Sequence, residues 1–159
     1  SVAADDISRI LEAARWAPSS RNGQPWRYIV SQRGNVAFDK IVSAMPESNS
    51  QWASRASNLI VAISYEAEPG ANAHAQYDVG QSVAYMILQA TNLGIATHQI
   101  GGFDRTVIKE KFGLDSTLEP MAVVALGYFD EKVELPDNLM QRELGARVRR
   151  PLAETILES

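Results

Sequence analysis

Residues Asn58 to Tyr65 read NLIVAISY, an almost unbroken apolar run. A strand with one wet face alternates apolar and polar side chains, so a continuous run of this length predicts a strand buried on both faces, at the centre of its sheet. A second such run, MAVVALGYF from Met121 to Phe129, predicts another inner strand, and the shorter WRYIV (Trp26–Val30) and IATHQI (Ile95–Ile100) supply two more. Between and around them the period changes from runs to 3.6. Ile7, Ile10, Leu11 and Ala14 share one helical face, with Asp5 or Asp6 as candidate N-cap and Pro18 as the stop. A weaker helix is predicted over Val36–Ala44, ending before Pro46, and the polar PESNSQ that follows reads as a connector. Val79, Val83, Ile87, Ala90 and Leu93 mark a long core helix closed by Gly94. Asp104 caps a further helix through Ile108 and Phe112, which finishes at Gly113. Strands and helices mix without the strict strand–helix–strand rhythm of a doubly wound sheet. The expected fold is therefore α+β: a three-layer sandwich with a central, largely antiparallel or mixed sheet flanked by helices.

The chain has 159 residues, about one domain's worth, and 45% of them are hydrophobic with 21% charged, which is enough apolar matter for a core. A single domain over residues 1–159 is expected, with a polar, arginine-rich C-terminal arm from about 136 to 159 outside the main sheet. There is no cysteine, which excludes disulfide frameworks, thiolate metal sites and cysteine nucleophiles. The net charge of −4 has the wrong sign for holding nucleic acid by bulk charge, so any anion site must be local. The opening SVAADDISRILEAA lacks the basic start and apolar run of a secretory signal. Asp78, Gln81, Gln89 and Asn92 make Tyr77–Leu93 too polar to span a bilayer. A soluble, cytoplasmic protein without nucleic-acid or membrane partners is expected.

No glycine-rich dinucleotide fingerprint, P-loop, serine elbow or H-E-x-x-H occurs. His74 in a polar loop and His98 in a short strand have no evident paired carboxylate, and neither is assigned a role; no metal is expected. Trp16, Trp26 and Trp52 are expected in core or interface. Three segments carry more polar side chain and glycine than connectors need. Ser19, Ser20, Asn22 and Gln24, in the segment APSSRNGQP, offer hydroxyls and amides that can read a heteroaromatic edge, turn capping being the alternative. At Ile100, Gly101 and Gly102 a glycine pair admits a flat ligand close to bare N–H groups, or else makes a tight turn. In the arm, Arg142, Arg147, Arg149 and Arg150 stand against one Glu143. In an extended segment Arg147 and Arg149 face one side, where their planar forks suit a phosphate; a solvated face is the alternative. An edge reader, a glycine platform and a phosphate clamp are together what a mononucleotide cofactor needs.

The stretches ARWAPSSRNGQPWRYIV, YDVGQSVAYMILQATNLGIATHQIGGFD and VRRPLAE, with Asn49 three residues before Trp52, closely resemble the FMN-dependent nitroreductase family in content and order. The resemblance covers nearly the whole chain. It implies an intertwined homodimer with FMN at the subunit interface and C-terminal arms crossing onto the partner. Ser19, Ser20, Asn22 and Gln24 match positions that line the flavin and its ribityl chain, and Asn49 matches an asparagine at the pyrimidine edge. Ile100, Gly101 and Gly102 match the backbone over the flavin, with the Gly101 N–H as donor to N5, and Arg147 and Arg149 match the phosphate-binding pair. The implied activity is NAD(P)H-dependent, ping-pong reduction of nitroaromatics, quinones or similar flat acceptors, with the redox chemistry carried by the flavin and no side-chain acid or base required. The alternatives are a non-catalytic or weakly flavin-binding relative, or another flavin chemistry on the same fold, such as enone reduction or reductive dehalogenation. The family usually opens with a basic Arg-Arg-Ser-x-Arg segment, and the present sequence starts at Ser1 without it. The expectation is either a partial chain or a looser hold on FMN.

Overall fold

The apolar runs form a four-stranded sheet in a computed structural model that describes residues 1–68, 72–130 and 136–158. Strand β1 spans Trp26–Gln32, β2 Asn58–Tyr65, β3 Ala96–Ile100 and β4 Leu118–Gly127. Their order across the sheet is β1-β2-β4-β3 and every pairing is antiparallel. Of the two sheet types expected, the antiparallel one is adopted. The two continuous apolar runs, β2 and β4, are the inner strands. Antiparallel sheets commonly leave one face wet, but here helices cover both, which is why neither inner strand alternates.

Helix α1 (Ala4–Arg15) and helix α4 (Ala75–Asn92) lie on one face. Ile7, Ile10, Ala14, Val79, Val83 and Met86 pack there against Ile60, Ala62, Val124 and Leu126. Helices α2 (Val36–Val42), α3 (Glu47–Ala53) and α5 (Arg105–Phe112) serve the opposite face, where Phe38, Ile41, Ala53 and Ile108 meet Leu59, Val61, Ile63, Val123 and Ala125. The period-2 alternation of the two inner strands assigns each residue to its cluster. Side chains such as Ile60, Leu59 and Met86 are fully buried, each contributing about 1.5–3 kcal/mol relative to exposure.

Three local expectations are revised. The cap of α1 is Ala3 without a side-chain hydrogen bond, and Asp5 and Asp6 sit inside the first turn, where they act through charge on the helix dipole. Residues 47–53, read as a connector, form α3: Pro46 precedes the first turn and Glu47 sits in it, a favourable helix start even where the composition is polar. Strand β4 begins at Leu118, three residues before the predicted run, because the register shifts between Ala62 and Ile63 so that Met121 is an extra, bulged residue beside Pro120. A bulge is where a sheet tolerates a proline without an N–H to give. Asp104 caps α5 as expected, accepting from the Thr106 and Val107 N–H groups at 2.9 and 3.1 Å, and Gly113 ends it at φ 64°.

The chain divides into two compact units, residues 1–129 and 130–159. The second contains α6 (Asp137–Glu143) and a short 3₁₀ turn at Leu152–Thr155. Residues 69–71 of the predicted loop Glu66–His74, residues 131–135 and Ser159 lie outside the described residues. Among the described residues no helix is long and apolar enough to cross a membrane.

Candidate functional site

The segment between α1 and β1 is built against the preferences of its own residues. Arg21, Asn22 and Gln24 have φ of 53°, 55° and 47°, the left-handed region that costs a side-chain-bearing residue roughly 1–2 kcal/mol. Hydrogen bonds inside the loop offset part of this. The Gln24 N–H donates to Ser19 Oγ at 3.0 Å, the Asn22 and Gly23 N–H groups donate to the Ser19 and Ser20 carbonyls, and Gln24 Nε2 donates to the Asn22 carbonyl at 3.2 Å. Arg27 Nη1 donates to the Gln24 carbonyl at 3.1 Å while its guanidinium lies over the Tyr65 ring. One bond leaves for the helix layer: the Ser20 N–H donates to Asp78 Oδ2 at 3.0 Å. Ser19 and Gln24 are thus engaged in closing the loop. Among the described residues the Ser20 hydroxyl and the Asn22 carboxamide group make no hydrogen bond.

The second segment follows β3. Asn49, on α3, donates from Nδ2 to the Gly102 carbonyl at 2.8 Å. A carbonyl only accepts, so the amino group must face it and the Asn49 Oδ1 acceptor points elsewhere. A Cβ on Gly102 would stand 2.8 Å from that same Nδ2, closer than atoms approach, so this glycine is required for the approach of Asn49. Gly101 differs: it is exposed, nothing lies within 4 Å of where its Cβ would be, and among the described residues its N–H has no backbone partner. The Ile100 side chain is buried in the cluster beneath. One turn along α3, Trp52 meets the edge-strand His98 in a T-shaped contact at 4.7 Å, so His98 is part of the packing that seats α3.

Register locates the two segments. Ile100 aligns through Val123 and Val61 with Ile29, and Trp26 aligns with Ser64. The end of β3 and the start of β1 therefore lie at the same end of the sheet but on opposite edges, separated across the sheet by three strand spacings, about 14 Å. They also belong to opposite layers, Ser20 to α4 and Gly102 to α3. Within one chain the structure brings Asn49 together with Gly102, and Ser19 with Gln24, but not one group with the other. A cleft of about 250 Å³ beside the first loop is lined by Ser19, Ser20, His74, Tyr77, Asp78 and Gln81.

In the second unit Arg147 and Arg149 are exposed, Arg149 Nη1 donating to the Val148 carbonyl at 2.9 Å. Among the described residues no group of three or more potential metal ligands gathers. Of the tryptophans, Trp26 is buried, Trp52 half-buried, and Trp16 exposed, its Nε1 donating to Glu12 at 2.8 Å. That bond and a bidentate pair with Arg15 hold the Glu12 carboxyl down to about 2. Asp78, in the stretch YDVGQ, is a functional candidate to which the sequence motifs assign no role. Its signal was present, since it falls on the buried face of α4 with Val79, Ser82, Val83 and Met86, where an acid demands a partner.

Comparison with known proteins gives the family. A model of the nitroreductase family matches residues 1–128. A protein of Archaeoglobus fulgidus, provisionally named an NADH dehydrogenase/NAD(P)H nitroreductase, is 30% identical over 137 residues, 80% of this chain and 75% of that protein. Among solved structures, an oxidoreductase containing FMN superposes with a TM-score of 0.91 at 32% identity, covering 99% of this chain and 82% of that one. A provisionally assigned nitroreductase of Desulfovibrio desulfuricans, solved in complex with FMN, gives a TM-score of 0.79 at 25% identity over all of this chain and 86% of its own. On its fold and on the match across its whole first compact unit, the chain belongs to the nitroreductase family.

Proposed function

We propose that the protein is an FMN-dependent oxidoreductase that takes electrons from NAD(P)H and passes them, in ping-pong fashion, to nitroaromatics, quinones or similar flat acceptors. The observation that carries this is the exposed Gly101 backbone beside an asparagine clamped in place: an open surface without a Cβ, with an unspent N–H and a neighbouring free acceptor. A flat heteroaromatic group fits that combination. FMN, when bound, supplies the hydride and electron chemistry. The chain's residues bind and orient. The Gly101 N–H is the donor for flavin N5, and Asn49 Oδ1, its amino group committed to Gly102, accepts from the N–H of the pyrimidine edge. Ile100 anchors this platform in the core. Ser19, Ser20, Asn22 and Gln24 form the second wall, and Arg147 and Arg149 bind the phosphate as charge-assisted forks.

In this reading the working unit is a homodimer with the site between copies. Two walls on opposite edges of one sheet support it, because a second copy can bring one chain's first wall to the other's second. Exposed apolar side chains support it too. On α4, Tyr77 and Leu88 are 70% and 68% exposed, and the arm exposes Leu144, Val148, Leu152 and Ile156. Surface of this kind is characteristically covered by a partner.

The test is an absorption spectrum of the protein with added FMN, followed by anaerobic titration with NADH and NADPH. Bound flavin that bleaches with one donor is the expected result; absence of uptake overturns the assignment in favour of a non-catalytic relative. Light scattering should give twice the chain mass, and a clean monomer would remove the shared site.

A further inference from the structure

Two buried polar side chains on α4, one helical turn apart, contact the first loop and its flanks at three points. Ser82 is fully buried. Its hydroxyl donates to the Ala14 carbonyl at 2.6 Å, in the last turn of α1 where the chain enters the loop. With its proton so used, Ser82 Oγ accepts from the Tyr28 hydroxyl on β1, where the chain has left the loop. Burial pushes the Tyr28 phenol up, against the pull of this bond. Asp78, 2% exposed, takes the middle of the segment by accepting the Ser20 N–H.

The bonds among Ser19, Asn22, Gly23 and Gln24 close the loop on itself. They do not set where it sits on the body of the protein. Arg21, Asn22 and Gln24, in left-handed conformation on either side of Gly23, have other backbone shapes available at lower local cost. Of the bonds that reach the loop from outside, Arg27 Nη1 holds only its end at the Gln24 carbonyl, whereas Asp78 holds its middle. A carboxylate in the first turn of an 18-residue helix is stabilised by the helix dipole, and out of water it makes a stronger hydrogen bond than a neutral acceptor.

We infer that Asp78 is a positioning residue: by holding the Ser20 N–H it fixes the Ser19–Gln24 loop in the shape that presents the Ser20 hydroxyl and the Asn22 carboxamide to the cofactor. This rests on the proposal that the loop is a wall of the FMN site. Its role is exerted through Ser20. Ser82 sets the two ends of the segment, and Asp78 sets what lies between.

The test compares the wild-type chain with Asp78→Ala and Asp78→Asn in two measurements: amide hydrogen exchange at Ser20 without cofactor, and FMN affinity by quenching of flavin fluorescence. In Asp78→Ala, Ser20 exchange should rise at least about tenfold with the amides of β2 and the later turns of α4 unchanged, and FMN affinity should fall about tenfold to a hundredfold. Asp78→Asn, which keeps a neutral acceptor in place, should recover most of both. Ser20 exchange equal to wild type in Asp78→Ala overturns the inference, and so does a loosened loop with FMN affinity within about twofold of wild type. Where Asp78→Ala fails to fold, Asp78→Leu fills the buried space without an acceptor and is judged by the same criteria. Wild-type protein that takes up no FMN would instead overturn the flavin reading, and with it the cofactor half of this inference, while Ser20 exchange still decides whether Asp78 holds the loop.

Discussion

The two walls of the candidate site solve the same problem in opposite ways. The Ser19–Gln24 wall places side-chain-bearing residues in left-handed backbone and restrains them with hydrogen bonds and a buried carboxylate. The Ile100–Gly102 wall uses two glycines, yet neither has a positive φ. Its glycines are there for space. Gly102 gives the space to Asn49, and Gly101 leaves it open. At these two walls glycine content does not locate strain: the strained backbone carries side chains, and the glycines serve space.

The largest effect should come from closing the Gly102 gap. Gly102→Val, at an exposed position, puts a branched side chain onto Asn49 Nδ2, the far end of a side chain that can swing aside, so stability to urea should fall by no more than about 1 kcal/mol while FMN affinity falls about tenfold to a hundredfold. FMN affinity equal to wild type would mean that the platform does not depend on the Asn49 clamp. Gly101→Val sharpens the contrast, because its side chain meets no protein atom: stability should stay within about 0.5 kcal/mol while FMN binding and turnover fall about tenfold or more. Unchanged binding and turnover would remove this loop from the site. Arg149→Ala should cut FMN affinity several-fold with little change in unfolding midpoint, since the side chain is exposed and bonded only to the neighbouring Val148 carbonyl among the described residues. Equal FMN retention would make that arginine surface charge. The smallest effect lies outside both walls. Glu12 titrates at about 2 in the folded chain against an ordinary 4.5, so its bonds to Arg15 and Trp16 are fully present above about 4.5 and are lost as pH falls through about 2. Trp16 fluorescence should change in that window while the fluorescence of buried Trp26 follows only global unfolding.

Much of the fold was legible because local rules and global packing agree. The runs NLIVAISY and MAVVALGYF are inner strands because only a doubly covered strand tolerates apolar side chains on both faces, and Gly94 and Gly113 end helices at φ of 71° and 64°. Helix α3 was hidden, since Glu-Ser-Asn-Ser-Gln carries no apolar period and its helicity comes from Trp52 and Ala53 packing onto the sheet. With it went the reason for Asn49's place: the asparagine was legible by family likeness, but its bond to Gly102 was not. Pro120 hid the start of β4 for a similar reason, because a bulge is a property of two paired strands.

What the amino-acid order determined by itself is therefore the set of elements, the sign of the charge, the absence of thiol chemistry and the three polar segments that suit a mononucleotide. Each follows from composition or from a period of 2 or 3.6 along one stretch of chain. Only the tertiary structure decided that Gly102 yields its space to Asn49, that Asp78 holds Ser20 across 58 positions of sequence, and that the two walls stand on opposite edges of one sheet. Those are facts about distance between residues remote in the chain. Local pattern carries no measure of such distance until the strands pair and the helices close over them.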